Sequence, residues 1–173
     1  MQIGFLADVR NPPPWKRPWP RHYGRTLELI EEAERLGGAA VFLGEHHLTD
    51  DGYMPQSLTF AAAIAARTKR IRIGTAILLA PLRHPMHIAE EAAIVDILSG
   101  GRLELGLGAG YVPAEFKAFD VERADRFKLL DHAVAEVRRL LADVVSPRPI
   151  QERVPIWCGY FGKGARRAGL MGE

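Results

Sequence analysis

Residues 72–111 read RIGTAILLAPLRHPMHIAEEAAIVDILSGGRLELGLGAGY, and they contain one strand–helix–strand unit. The run IRIGTAILL (71–79) is apolar on successive residues and rich in β-branched side chains, as expected of a strand buried on both faces. A helix near 85–98 follows PLRHP. The Gly100-Gly101 pair closes it, because glycine adopts the left-handed conformation that a helix end needs. RLELGLG (102–108) is the next strand. Two strands joined through a helix pair in parallel, since a parallel connection requires a crossover.

The same grammar extends in both directions. IGFLA (3–7) is a strand. The segment RHYGRTLELIEEAERLGG places Leu27, Ile30, Ala33 and Leu36 at helical spacing, with Gly37 as its stop. AAVFLG (39–44) is a second strand, and Ser57 can cap a helix through SLTFAAAIAARTK. A helix near 124–142 carries the stripe Phe127, Leu130, Val134, Val137 and Leu141. VPIWCG (154–159) is a fifth strand, and GKGARRAGLMG begins another helix. This alternation predicts an α/β fold with a helix-covered parallel sheet. An open five-stranded doubly wound sheet would be complete at 173 residues, whereas a (βα)8 barrel usually takes ~250. Length favours the open sheet. In both architectures a ligand site lies at the C-terminal ends of the strands.

Composition narrows the function classes. The longest apolar stretches fall short of the ~18 residues that a membrane span needs. The start MQIGFLADVR lacks the pattern of a signal peptide. One cysteine, Cys158, excludes an internal disulfide, so a cytoplasmic protein without a membrane partner is expected. The segment RNPPPWKRPWPRHYGR (10–25) is basic, but its prolines make it a stiff extended loop. It suits a place beside a small anionic ligand better than a nucleic-acid surface.

Polar and glycine-rich residues gather at the strand ends: Asp8, then Glu45-His46-His47, then Arg83-His84, then GLGAGY (106–111), then Tyr160 to Gly164. GLGAGY matches only the start of a dinucleotide fingerprint. It reads either as a tight turn needing positive φ or as backbone approaching a flat ligand. Phe161-Gly162-Lys163-Gly164, at a helix start, suits a phosphate. His84, His87 and Glu90 or Glu91 imitate metal-ligand spacing. Pro85 interrupts them, however, and the acids suit the first turn of a helix. His46 and His47 are adjacent, so in extended chain they point opposite ways, one toward the site and one behind it. A metal would need further ligands, with only Asp8 on offer, so none is expected. Acid/base or hydrogen-bonding use of one imidazole fits better. No GxSxG elbow, Walker loop or CxxC pair is present.

Taken together, GEHHLTDDGY (44–53), the stretch 72–111 and VPIWCG resemble the bacterial luciferase-like flavin-dependent monooxygenases, a family that includes F420-dependent relatives. The resemblance implies a TIM barrel of the (βα)8 type, against the length argument. About the first five βα units would be present, as one partial barrel domain over residues 1–173. It implies a flavin-dependent oxidoreductase that uses reduced FMN and O2 to oxygenate a small organic substrate. A separate flavin reductase goes with that activity, and the exposed parallel edges at the first and fifth strands favour a homo-oligomer. F420-dependent hydride transfer, or a non-catalytic flavin-binding or assembly protein, are the alternatives. By the same resemblance His46 is catalytic, with Glu45 supporting it. Thr75, Ala76 and Ile77 lie under the flavin ring, with a non-proline cis peptide at Ala76–Ile77. Gly108, Ala109 and Gly110 pass close to the cofactor, and Asp8 adds to the cofactor-binding set. Tyr160 joins the cofactor-binding set, and Ala109 stands where luciferase has an arginine on the phosphate, which shifts that contact to the backbone of Phe161, Gly162, Lys163 and Gly164 and to the Lys163 side chain.

Overall fold

The computed structural model describes residues 1–159. In chain order the elements are β1 (Gly4–Ala7), α1 (Trp19–Arg35), β2 (Ala40–Leu43), α2 (Ser57–Arg67), β3 (Arg72–Thr75) and β4 (Leu78–Leu79). There follow α3 (Pro85–Ser99), β5 (Leu103–Gly108), α4 (Pro113–Ala118), α5 (Arg126–Asp143) and β6 (Ile156–Gly159). The helix expected over 162–172 lies outside the described residues.

Every strand pairing is parallel. β1 pairs with β2, β2 with β3, β3 and β4 both with β5, and β5 with β6. The expected single strand 71–79 is therefore two pieces laid along β5, and the break between them contains the cis peptide Ala76–Ile77. Spatial order follows chain order without reversal. A doubly wound sheet reverses direction at a switch point and carries helices on both faces. Here α1 packs on α2, α2 on α3 and α3 on α5, in one row. Sequential strands with one outer row of helices form an arc of a (βα)8 barrel. This is the partial barrel that the resemblance implied, and not the open sheet that length alone favoured.

Alternation along each strand divides the two faces. The helix-facing side holds Val41, Leu43, Ile73, Leu103, Leu105 and Leu107, all fully buried against Ile64, Ile88, Leu130, Val134 and Val137. The opposite face carries Leu6, Phe42, Gly74, Glu104 and Trp157, which share registers across the sheet. Leu6 is 54% and Trp157 51% exposed, so this inner face is open where the helix face is closed.

Local differences from the sequence expectations have physical reasons. Ser57 is the first residue of α2 and Gln56 precedes it as the cap position, because the Ser57 hydroxyl instead donates to the Glu45 carboxylate at 2.7 Å. Glu90 and Glu91 fall beyond the first turn of α3, and Glu91 pairs with Arg83. His84 caps α3, its Nδ1 accepting from the Met86 N–H. α3 does end at Gly100, with φ 69°. α4 was not anticipated behind GLGAGY, although Pro113 at its start and Glu115 in its first turn are ordinary helix-opening residues.

Candidate active site

At the C-terminal end of the strands lies a cavity of about 710 Å³. Its floor is Ala76, Ile77 and Leu79, carried by the β3–β4 junction. Gly44, Glu45 and His46 enter from the end of β2, Ala109, Gly110 and Tyr111 from the end of β5, and Gly159 from β6. Arg126 and Phe127 close one side from the start of α5, and Tyr53 closes another. The lining is mostly apolar with a few convergent polar groups, as small-ligand sites usually are.

The glycines of β5 shape this floor. A Cβ at Gly106 would meet the Thr75 carbonyl, and one at Gly108 would fall within the Ile77 side chain. The GLG pattern therefore makes room for the β3–β4 junction rather than cradling a dinucleotide. Thr75 joins the two strands from below. Its hydroxyl donates to the Gly106 carbonyl at 2.7 Å and accepts the Gly106 N–H at 2.8 Å. Gly110 supplies the positive φ of 69° that turns the chain into α4.

His46 stands in the cavity wall between two tyrosine rings. Both rings lie edge-on to it, Tyr53 at 5.0 Å and Tyr111 at 5.5 Å between centroids. Its Nε2 is 3.4 Å from the Tyr111 hydroxyl, and its Nδ1 is 2.9 Å from Glu115 Oε1. The same Oε1 accepts the His47 backbone N–H at 2.8 Å. Glu115 is 1% exposed, and its Oε2 has no hydrogen-bond partner among the described residues.

His47 turns away from the cavity. Its ring packs edge-on against Phe119, and its Nε2 lies 3.6 Å from Glu45 Oε1. Glu45 borders the cavity, yet its side chain is wholly buried and accepts from the Ser57 hydroxyl and the Leu79 N–H. The carboxylate thus ties β2 to α2 and to β4. Burial pushes the Tyr53 phenol above its usual range, with the Asp8 charge adding to it, so the phenol keeps its proton near neutral pH.

Of the residues expected at the site, His46, Ala76, Ile77, Ala109 and Gly110 converge on the cavity, and Gly108 lies directly behind Ile77. Thr75 lies outside the lining, and the Glu45 carboxylate, expected to support His46, instead meets Ser57, Leu79 and His47. Asp8 does not line the cavity. Its carboxylate is held by the Arg10 side chain and backbone, and the Arg10 hydrogen bond sets it below the ordinary carboxylate range. Tyr160, Phe161, Gly162, Lys163 and Gly164 lie outside the described residues. Sequence reading placed Tyr111, Glu115 and Gly159 at the strand ends without giving them a role, and did not select Tyr53, Arg126 or Phe127 for the site. Among the described residues no group of three or more His, Cys, Asp or Glu is placed to hold a metal ion, and no helix is long and apolar enough to cross a membrane.

Comparison with known proteins gives a consistent picture. A family model described as luciferase-like monooxygenase matches residues 1–172. The crystal structure of monooxygenase RslO1 from Streptomyces bottropensis superposes with a TM-score of 0.85 and 31% identity, over 91% of this chain and 53% of that one. The oxygenase component of a flavin-dependent trigonelline monooxygenase from Acinetobacter baylyi is 38% identical over 55% of this chain and 26% of its own length. An F420-dependent glucose-6-phosphate dehydrogenase from Microbacterium testaceum is 32% identical, over 82% of this chain and 48% of its own length. The chain therefore spans less than half the length of these two relatives.

Proposed function

The chain belongs to the luciferase-like monooxygenase family, and from that premise we propose that its cavity serves a flavin-dependent oxidoreductase that oxygenates a small organic substrate. The observation that carries this reading is the placement of His46. Its Nε2 faces an apolar cavity whose floor is the β3–β4 junction at Ala76–Ile77.

The residues present fit a flat cofactor with an anionic tail. Ala76, Ile77 and Leu79 offer an apolar bed, Ala109 and Gly110 bring backbone close, and Arg126 is the one Arg or Lys among the described lining residues. Arg126 would take the phosphate contact that Ala109 cannot make. Reduced FMN, when bound, would supply the electrons that O2 needs to oxygenate a substrate. His46 would exchange a proton at Nε2 with the reacting groups, and the Tyr53 and Tyr111 rings would hold the imidazole and exclude water. The trigonelline relative is named as an oxygenase component, which supports a separate reductase as the source of reduced flavin. Assembly as a homo-oligomer belongs to the same proposal.

Hydride transfer to or from F420 is the second reading, favoured by the F420-dependent relative that covers 82% of this chain. Titration with FMN and F420 in both redox states, followed by fluorescence, separates the two. Binding of FMN with substrate-dependent O2 uptake supports the first. Failure of both cofactors to bind sinks both readings. His46→Ala is expected to lower turnover by about 10²–10⁴-fold, the usual contribution of a general acid or base. Its FMN dissociation constant should move less than about threefold, since a proton-transfer group stabilises the transition state more than the bound ground state. Unchanged turnover would remove His46 from the reaction.

A further inference from the structure

We propose that Glu115 is the positioning residue for His46, fixing which ring nitrogen carries the proton and clamping the 46–47 backbone. This inference rests on the reading that His46 moves a proton at the cavity. It concerns a residue 69 positions away in sequence, on a different strand–helix unit.

The argument starts from one oxygen. Glu115 Oε1 lies 2.9 Å from His46 Nδ1 and 2.8 Å from the His47 backbone nitrogen. A backbone N–H can only donate, so the oxygen facing it must be an acceptor. With that oxygen accepting, the histidine nitrogen beside it carries a proton and donates as well. A neutral imidazole has a single N–H, and the hydrogen bond at one nitrogen decides the state of the other. The Nδ1–H form therefore leaves the Nε2 lone pair toward the cavity, where the Tyr111 hydroxyl is 3.4 Å away and able to donate to it.

Burial gives the contact its force. The Glu115 side chain is 1% exposed and the His46 side chain 23%, so water competes little for the bond. The contact holds orientation as well as protonation. His46 N–H also donates to the Met54 carbonyl at 3.2 Å, so the residue is pinned on its backbone from both sides. The second oxygen, Oε2, has no partner among the described residues. That leaves the carboxylate's contacts concentrated on the 46–47 segment. Helix α4 is the reason Glu115 reaches this place. Its backbone turns at Gly110 and starts at Pro113, which brings the third residue of a six-residue helix against the end of β2.

The test reads the tautomer directly and activity second. In the 173-residue chain labelled with ¹⁵N, long-range imidazole spectra, assigned with His46→Ala, are expected to show His46 as the Nδ1–H form under conditions where the ring is neutral. Glu115→Met keeps the length of the side chain but removes the acceptor, and should let the Nε2–H form appear. Glu115→Gln should restore the native form, because two donors at one point force the amide to present its oxygen there. Turnover with reduced FMN should fall in Glu115→Met by about 10²-fold or more, in line with loss of an orienting carboxylate behind a catalytic imidazole, while FMN affinity stays within about threefold.

A native chain with His46 in the Nε2–H form overturns the proposal, whether or not the variants fold. So does a folded Glu115→Met chain with the native tautomer and native turnover. Should His46→Ala leave turnover intact, the functional reading fails. If His46→Ala abolishes turnover and Glu115→Met changes neither spectrum nor rate, only the positioning role fails.

Discussion

A methyl group at residue 108 would occupy space already filled by the Ile77 side chain, and that overlap links a glycine of β5 to the floor of the cavity. Gly108→Ala must push Ile77 out of place. Such overpacking typically costs about 1–3 kcal/mol. The variant should unfold at lower urea concentration, and FMN binding should weaken because Ile77 is the surface that moves. Pairing it with Ile77→Val, which removes the methyl in closest approach, should recover part of both losses. Strict additivity in the double-mutant cycle would show that the two residues do not meet. The cis peptide at Ala76–Ile77, which the structure has, was implied by the family resemblance and not by any local pattern of residues. The sequence reading left GLGAGY open between a tight turn and a ligand-facing backbone. The structure shows that Gly106 and Gly108 answer to a third need, the pressure of the neighbouring strand. Glu115 stood out only as an acid after a strand end, and its role went unread for a related reason. Its partner is 69 residues away, and no local spacing signals a contact made by two strand ends meeting.

Elements in this fold are joined by acids that accept backbone N–H groups. Glu34, near the end of α1, accepts the N–H groups of Lys69, Arg70 and Ile71, and so pins the entry to β3. Asp96 of α3 does the same for Ile150 and Gln151 ahead of β6. Burial alone would raise the Glu34 carboxyl, but the Ile71, Arg70 and Lys69 hydrogen bonds outweigh it and hold the group below its usual value. A carboxyl lowered on folding stabilises the protein above its unfolded pKa, and the benefit is lost as pH falls through the folded value. Glu34→Gln should thus cost about 1 kcal/mol at pH 7, a modest figure because the site is solvated. The gap between native and variant urea midpoints should close as pH is lowered into the acid range below the ordinary glutamate value. A gap that stays constant down to pH 3 would rule out the charge as its source. Helices were legible from their period and strands from short continuous apolar runs, because a strand buried on both faces shows no alternation. These clamps were not, nor was the short α4, since a six-residue helix leaves too few turns for a period to register.

At the scale of the molecule, the two faces of the sheet are unequal, and the inequality separates a barrel arc from a finished open sheet. Chain length pointed to the open sheet and the family resemblance to a barrel, and the sequential order of strands with one row of helices agrees with the resemblance. Continuous apolar strands look alike in both architectures, so the sequence pattern could not choose. The difference is measurable with two leucines. Leu105 is fully buried on the helix side, whereas Leu6 on the inner face is 54% exposed. Leu105→Ala should cost about 2–5 kcal/mol, as buried leucine truncations do. Leu6→Ala removes a side chain with few neighbours on one side, and should cost less than about 1 kcal/mol by the area it leaves in water. Urea midpoints of the two variants in the 173-residue chain would check this. Equal costs would mean that Leu6 is covered in solution, by a further segment or by a second copy, and that the inner face is a packed interior rather than an open one. A small cost at Leu6 beside a large one at Leu105 would place the stability of this chain in its outer layer. The cavity at the strand ends would then be held from the helix side, through Glu45, Glu115 and the α5 start, and not from within the barrel.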